Sequence, residues 1–217
     1  MKLTLKNIGK IGTASVEING ITVIAGENNT GKSTVGRALF AVFNSFCNVQ
    51  KQIENERVDS IENLLDRMYM NGNSRFMRIA NTNEIAKTIV AHIDLYRQAE
   101  LFDMQKNIMD LLVQYDEGKI ESFDENTIAE TVSRIKDVLN VSGIDFLKSV
   151  LERKLDAEFN EQVCNIFSGD DGEIQLQIKD KIITVSVENE GSVDIQNPGD
   201  VSLHTEVVYI DDPFVLD

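Results

Sequence analysis

The sequence is short of four things, and each shortage removes a class of protein. Cysteine is scarce: Cys47 and Cys164 stand far apart and match no metal-ligand spacing. With no leader visible, they read as reduced, buried thiols of a cytosolic protein, not as a disulfide frame or a zinc site. Proline is scarce too: neither Pro198 nor Pro213 falls between 34 and 167, so nothing in that stretch forces a helix to break. No apolar run approaches the roughly 20 residues of a membrane span. Cations are outnumbered, 21 Lys and Arg against 36 Asp and Glu, for a net charge of −15. That balance argues against a chain clothed in basic surface for nucleic acid. Lys2, Lys6 and Lys10 near the start, and Arg67, Arg75 and Arg78 further on, read as ordinary solvated charge. The acidity suits a helical lobe that faces solvent or a basic partner.

What is present is more specific. Residues 26–33 read Gly26-Glu27-Asn28-Asn29-Thr30-Gly31-Lys32-Ser33, the pattern G-x-x-x-x-G-K-[ST] of a phosphate-binding P-loop. Its context fits. The preceding Ile21-Thr22-Val23-Ile24-Ala25 is a β-branched, apolar run suited to a buried strand. After the motif, Val35, Ala38, Leu39, Val42, Phe43 and Phe46 are spaced by threes and fours, as in an amphipathic helix. A helix starting inside such a loop aims unpaired backbone N–H groups at an anion. Gly26 and Gly31 permit backbone shapes that a Cβ would hinder. In that chemistry Lys32 reaches the β- and γ-phosphates, Ser33 offers its hydroxyl to Mg²⁺, and Thr34 sits by the α-phosphate. The expected ligands are therefore a nucleoside triphosphate, which the family resemblance given below makes ATP, and Mg²⁺, held by Gly26, Asn28, Asn29, Thr30, Gly31, Lys32, Ser33 and Thr34.

The rest of the chain divides by periodicity. Residues 2–19 alternate loosely and are punctuated by Gly9, Gly12 and Asn19-Gly20, which predicts two antiparallel strands before the P-loop strand. From 34 to 167 the pattern is helical: about 33–50, 52–69, a long helix near 83–116, then 126–140 and 143–167, with a polar loop at 71–83. Ser168-Gly169-Asp170-Asp171-Gly172 is a strong turn signal. Beyond it the period becomes two, predicting a β-meander of three short strands around Ile174, Leu176, Val185, Val193 and Ile195. Asn197-Pro198-Gly199-Asp200 closes the meander, and Val207-Val208-Tyr209-Ile210 reads as one more apolar strand.

That last run ends in Asp211-Asp212, the general form of a Walker B element, whose first acid holds Mg²⁺ through water and whose second activates the attacking water. Aspartate stands where glutamate is usual, and residues 180–206 hold no Ser-Gly-Gly-type signature. Asp211 and Asp212 are thus catalytic candidates, with a strand ending in an Asx/Pro turn as the other reading. His92 and His204 have no partner at ligand spacing.

The opening from the hairpin through Asn19-Gly20-Ile21-Thr22-Val23-Ile24-Ala25 and Gly26-Glu27-Asn28-Asn29-Thr30-Gly31-Lys32-Ser33-Thr34 resembles the amino-terminal part of ABC-type ATPase heads. These are the SMC, RecF and OLD-like proteins, often grouped as AAA-domain ATP-binding proteins. Asn29 replaces the usual glycine, a mild change because asparagine tolerates left-handed angles. The resemblance implies an α/β P-loop NTPase fold, ABC/SMC-head-like, with an N-terminal β-hairpin, a helical lobe after the P-loop helix and a later antiparallel β-meander. It divides the chain into 1–50 as the start of the nucleotide-binding core, 51–168 as the helical lobe, and 169–217 as the meander with a strand returning to the core. It also implies a cytoplasmic protein that associates with itself or a second ATPase half, in bacterial DNA maintenance or phage defence, with DNA as a partner by analogy. The signature, the Walker B Asp-Glu and the switch histidine of such heads have no close match here, so the chain is expected to be an amino-terminal portion of a longer ATPase or a truncated relative. Two other readings stand beside it. One is a self-contained small P-loop kinase using Arg75 and Arg78. The other is an interaction module with a vestigial P-loop.

Overall fold

The computed structural model describes residues 1–71, 81–116, 124–196, 203 and 207–208. The chain forms two units, Met1–Gln50 with Gly143–Asp217, and Lys51–Ser142.

The first unit is built on an antiparallel sheet. Strands β1 (Lys2–Ile8) and β2 (Ile11–Glu17) form the expected hairpin. The other strands come from the second half of the sequence: β3 (Gly172–Ile178), β4 (Lys181–Val187) and β5 (Val193–Gln196) are the expected meander. The order is β2-β1-β3-β4-β5, so β1 joins the hairpin to the meander, with Leu3 opposite Leu176 and Leu5 opposite Ile174. Alternation decides which face is covered: Leu3, Leu5, Ile174, Leu176, Ile183, Val185, Val187, Val193 and Ile195 are all buried.

Two helices supply their cover. Helix α1 (Lys32–Ser45) buries Val35, Ala38, Ala41 and Val42, and α7 (Gly143–Phe159) buries Leu147, Leu151 and Leu155, in the same core cluster. Polar contacts fix α7 at its flanks. Lys148 Nζ lies 2.7 Å from Asp194 Oδ1, Glu152 accepts from the Val193 N–H at 3.0 Å, and Lys154 donates to the Asn44 carbonyl at 2.9 Å. The sequence pattern assigned this helix to the lobe and ran it to 167. It ends at Phe159, and its apolar stripe belongs to the sheet.

The run Ile21–Ala25 also departs from expectation. It is not a strand, and no described strand pairs with it. Ile21 is 95% exposed, Val23 83% and Ile24 42%. β-Branched composition says what a segment would suit, whereas burial has to come from neighbours on both sides. Among the described residues those neighbours are missing. Val207 and Val208 likewise carry no strand, and Tyr209 and Ile210 lie outside the described residues. Leu203 forms a single parallel bridge with Cys47, donating to the Phe46 carbonyl and accepting from the Asn48 N–H, both at 2.8 Å.

The second unit is helical: α2 (Val49–Asn71, beginning at the first unit's edge), α3 (Thr82–Ala91), α4 (Ile93–Gln98), α5 (Leu101–Asp116) and α6 (Glu125–Asn140). Its core gathers Ile61, Leu65, Ile85, Ile89, Met104, Ile108, Leu112, Val132, Ile135 and Leu139. The long helix expected at 83–116 is three pieces, broken at His92 and at Ala99, whose backbone is extended. Reciprocal bonds hold the second break: Arg97 Nε donates to the Leu139 carbonyl at 2.6 Å, and Lys136 Nζ to the Ala99 carbonyl at 2.7 Å. Arg57 donates to the Val141 carbonyl at 3.0 Å, so two guanidinium groups satisfy carbonyls at the end of α6. Among the described residues, no helix is long and apolar enough to cross a membrane.

Candidate functional site

The P-loop residues lie between the exposed run and α1. Gly31 is the N-cap of α1, in the left-handed region at φ 90°, ψ 14°. A Cβ there would also stand 2.8 Å from Ile11 Cγ1, so both backbone and packing call for glycine. Asn29 adopts φ 69°, the left-handed geometry that asparagine tolerates. Thr30 Oγ1 donates to the Glu27 carbonyl at 2.9 Å, bracing the loop across its bend. No side chain caps α1, and its first turn holds no acid. A helix start is usually served by Ser, Thr, Asp or Asn. Here its N–H groups face the loop without such a cap, which suits a bound anion.

Lys32 curls over this loop. Its Nζ donates to the Gly26 carbonyl at 2.6 Å and to the Glu27 carbonyl. The ammonium is thus anchored by backbone at the loop's start. From the opposite side comes Lys10, in the turn of the β1–β2 hairpin, whose Nζ donates to Asn29 Oδ1. The sequence pattern ranked Lys10 with ordinary surface charge. Nothing in local spacing could have promoted it, because its position depends on how the hairpin meets α1.

Together these groups line a cavity of about 380 Å³. Its wall carries Lys10, Lys32 and Arg37, then Asn28, Asn29, Gly31, Ser33 and Thr34, and one aromatic residue, Phe159. No acidic side chain is among them. In a chain of net charge −15, a cavity with three cations and no carboxylate is a local reversal of sign. Arg37 is positioned by donating to the Glu158 carbonyl at 3.2 Å.

The Ser33 hydroxyl is on the wall with the chemistry of a single Mg²⁺ ligand. Among the described residues, no group of three His, Cys, Asp or Glu could hold a metal. Magnesium carried on a triphosphate needs no such cage, since phosphate oxygens and water complete its shell.

Asp211, Asp212, His204, Arg75 and Arg78 lie outside the described residues. His92 is exposed, with Nδ1 2.9 Å from the Thr88 carbonyl oxygen, a local helix-end contact. Cys47 and Cys164 are both buried. Burial pushes the Cys164 thiol above its usual range, and its Sγ lies 3.3 Å from the Val187 carbonyl oxygen. Both cysteines are packing residues.

The chain matches no family model, no curated protein and no solved structure.

Proposed function

We propose that the chain is the ATP-binding domain of an ABC/SMC-like ATPase and holds Mg-ATP at residues 26–34. The observation that carries this reading is the charge of the P-loop cavity: Lys10, Lys32 and Arg37 converge on an uncapped helix start with no carboxylate on the wall. A polyphosphate is the anion that uses such a site fully, because backbone N–H groups and several cations can each take a different oxygen.

In this reading Lys32 releases the Gly26 and Glu27 carbonyls and takes β- and γ-phosphate oxygens. Ser33 gives its hydroxyl to Mg²⁺, the backbone of Asn28 through Thr34 cradles the phosphates, and Lys10 adds a second cation from the hairpin. ATP is chosen over other nucleotides by the resemblance of residues 1–40 to ABC-type heads. The same resemblance supplies the wider setting: nucleotide-driven association with a second ATPase half, and a cytoplasmic role in DNA maintenance or phage defence. By the same resemblance, hydrolysis would require the signature and Walker B groups of such a half, which stabilise the transition-state charge and activate the attacking water.

The test is a calorimetric titration of Mg-ATP into the chain and into Lys32→Ala, with phosphate release followed in parallel. Saturable binding that is lost in Lys32→Ala, with little turnover, is expected. Binding that survives Lys32→Ala, or no binding at all, would overturn the proposal. Brisk turnover by the chain alone would remove the need for a second half and make Asp211 and Asp212 the first acids to substitute. Transfer to a small acceptor would favour a kinase.

A further inference from the structure

One component of the cavity has no use for a phosphate. A benzene ring offers its negative face to an anion and donates no hydrogen bond. Yet Phe159 stands on the wall beside three cations, and it is only half-buried. Packing does not consume the whole ring.

The main chain around the ring is held firmly. Phe159 is the last residue of α7, and the next two, Asn160 at φ 51° and Glu161 at φ 63°, both adopt left-handed angles without being glycine. The Glu161 N–H returns to the Asp156 carbonyl at 3.0 Å, closing the helix end. The chain then stitches to the hairpin turn: the Gly9 N–H donates to the Val163 carbonyl at 2.8 Å, and the Asn165 N–H to the Asn7 carbonyl at 2.9 Å. Arg37 grips the carbonyl of Glu158 from α1. The main chain that carries the ring is therefore fixed on both sides of Phe159.

Its position along the site is also defined. A Cβ built on Gly9 would lie 3.2 Å from Thr34 Cγ2 and 3.6 Å from Phe159 Cε1, so ring and threonine flank the same point. In the P-loop reading, Thr34 stands at the α-phosphate end of a nucleotide whose γ-phosphate is at Lys32, so the ribose and base would leave the loop on that side.

We infer that Phe159 is the base-stacking platform of this site, taking the purine face of the nucleotide whose phosphates the P-loop holds. The inference rests on the P-loop reading above. Stacking on an aromatic ring suits any base and fixes the plane of the ring, while the neighbouring planar Arg37 guanidinium offers a second flat surface.

The experiment separates base from phosphate. Mg-ATP and Mg-tripolyphosphate are titrated into the wild-type chain, Phe159→Ala, Phe159→Leu and Lys32→Ala. Phe159→Ala and Phe159→Leu should weaken Mg-ATP about tenfold and leave Mg-tripolyphosphate unchanged, while Lys32→Ala weakens both. Leucine keeps apolar bulk, so its failure to rescue separates stacking from packing. The chain contains no tryptophan, so Phe159→Trp is a lone reporter whose emission should be quenched by Mg-ATP and not by Mg-tripolyphosphate. Equal losses for both ligands, full rescue by leucine, or no change in Phe159→Ala would overturn the assignment while leaving the P-loop reading intact. Binding of neither ligand by the wild-type chain would overturn both.

Discussion

Lys32 Nζ lies 2.6 Å from the carbonyl oxygen of Gly26, at the far end of the same loop. The loop's only internal cation thus closes it, and a bound polyphosphate must replace that contact with a better one. The ammonium would exchange a neutral carbonyl for a phosphate oxygen of opposite charge, so the exchange is favourable.

Lys10 makes the corresponding contact from outside the loop, through Asn29 Oδ1. Lys10→Ala should weaken Mg-ATP by roughly 3- to 10-fold, a modest loss because the ammonium is exposed and screened. It should also flatten the salt dependence of binding. Titrations at two salt concentrations check both effects, and unchanged affinity would return Lys10 to the ordinary surface.

Gly172 sits where β3 begins, under the bridge between Ile8 and Cys164. A Cβ there would meet Ile8 Cδ1 at 2.6 Å, the Asn7 carbonyl oxygen at 3.2 Å and Cys164 Sγ at 3.3 Å. Gly172→Ala should cost about 1–3 kcal/mol by overpacking. Gly12→Ala, whose Cβ would meet nothing within 4 Å, should stay within about 0.5 kcal/mol of wild type. Urea unfolding midpoints compare the two.

Asp156 on α7 has its carboxyl raised above the ordinary range, first by burial and then by Glu161 and Glu152. A raised folded-state value means the folded chain holds that proton more tightly than the unfolded chain does. The stability it contributes is complete below the unfolded carboxylate value of about 3.9 and is lost as pH rises through the folded value. Asp156→Asn should therefore raise the melting temperature at pH 7, and the gain should disappear below about pH 4. A gain that persisted at low pH would place its cause elsewhere.

Both thiols should resist alkylation in the native chain and react once it is unfolded, since Cys47 and Cys164 are buried. Mass spectrometry after a short pulse of iodoacetamide, with and without urea, reads this directly. Rapid native labelling of Cys164 would contradict its place beneath Gly172.

The exposed run before the P-loop gives the sharpest contrast with expectation. Ile21→Lys with Val23→Lys should alter stability by less than about 0.5 kcal/mol, whereas Leu151→Ala should cost about 2–5 kcal/mol. A large loss from the first pair would mean that those side chains are covered.

How much of this was legible beforehand follows from the range over which each feature is determined. The hairpin, the α1 stripe, the α6 stripe of Ile128, Val132, Ile135 and Leu139, and the meander are set by local alternation, and the apolar residues the period places inward are buried or partly buried. The breaks at His92 and Ala99 have no glycine or proline to announce them. They are imposed by contacts such as Arg97 with Leu139, which no local window contains. The same limit applies to α7, whose stripe is helical whichever core it joins. At the candidate site, Gly26 to Thr34 are contiguous and so stand out as a motif. Lys10 and Phe159 reach it from distant positions, one on a hairpin turn and one at a helix end.

The pairing of Leu3 with Leu176 has a temporal consequence. During synthesis the hairpin and α1 emerge first, yet the strand that completes their sheet and the helix that shares their core arrive only after residue 143. Lys51–Ser142 carries its own apolar cluster and can condense in the interval. Closing so distant a contact is slow because the chain entropy between its ends must be surrendered before any pairing rewards it. The nascent first unit therefore waits with its apolar sheet face covered by α1 alone, and that interval is when a chaperone, or a mistaken neighbour, has its opportunity.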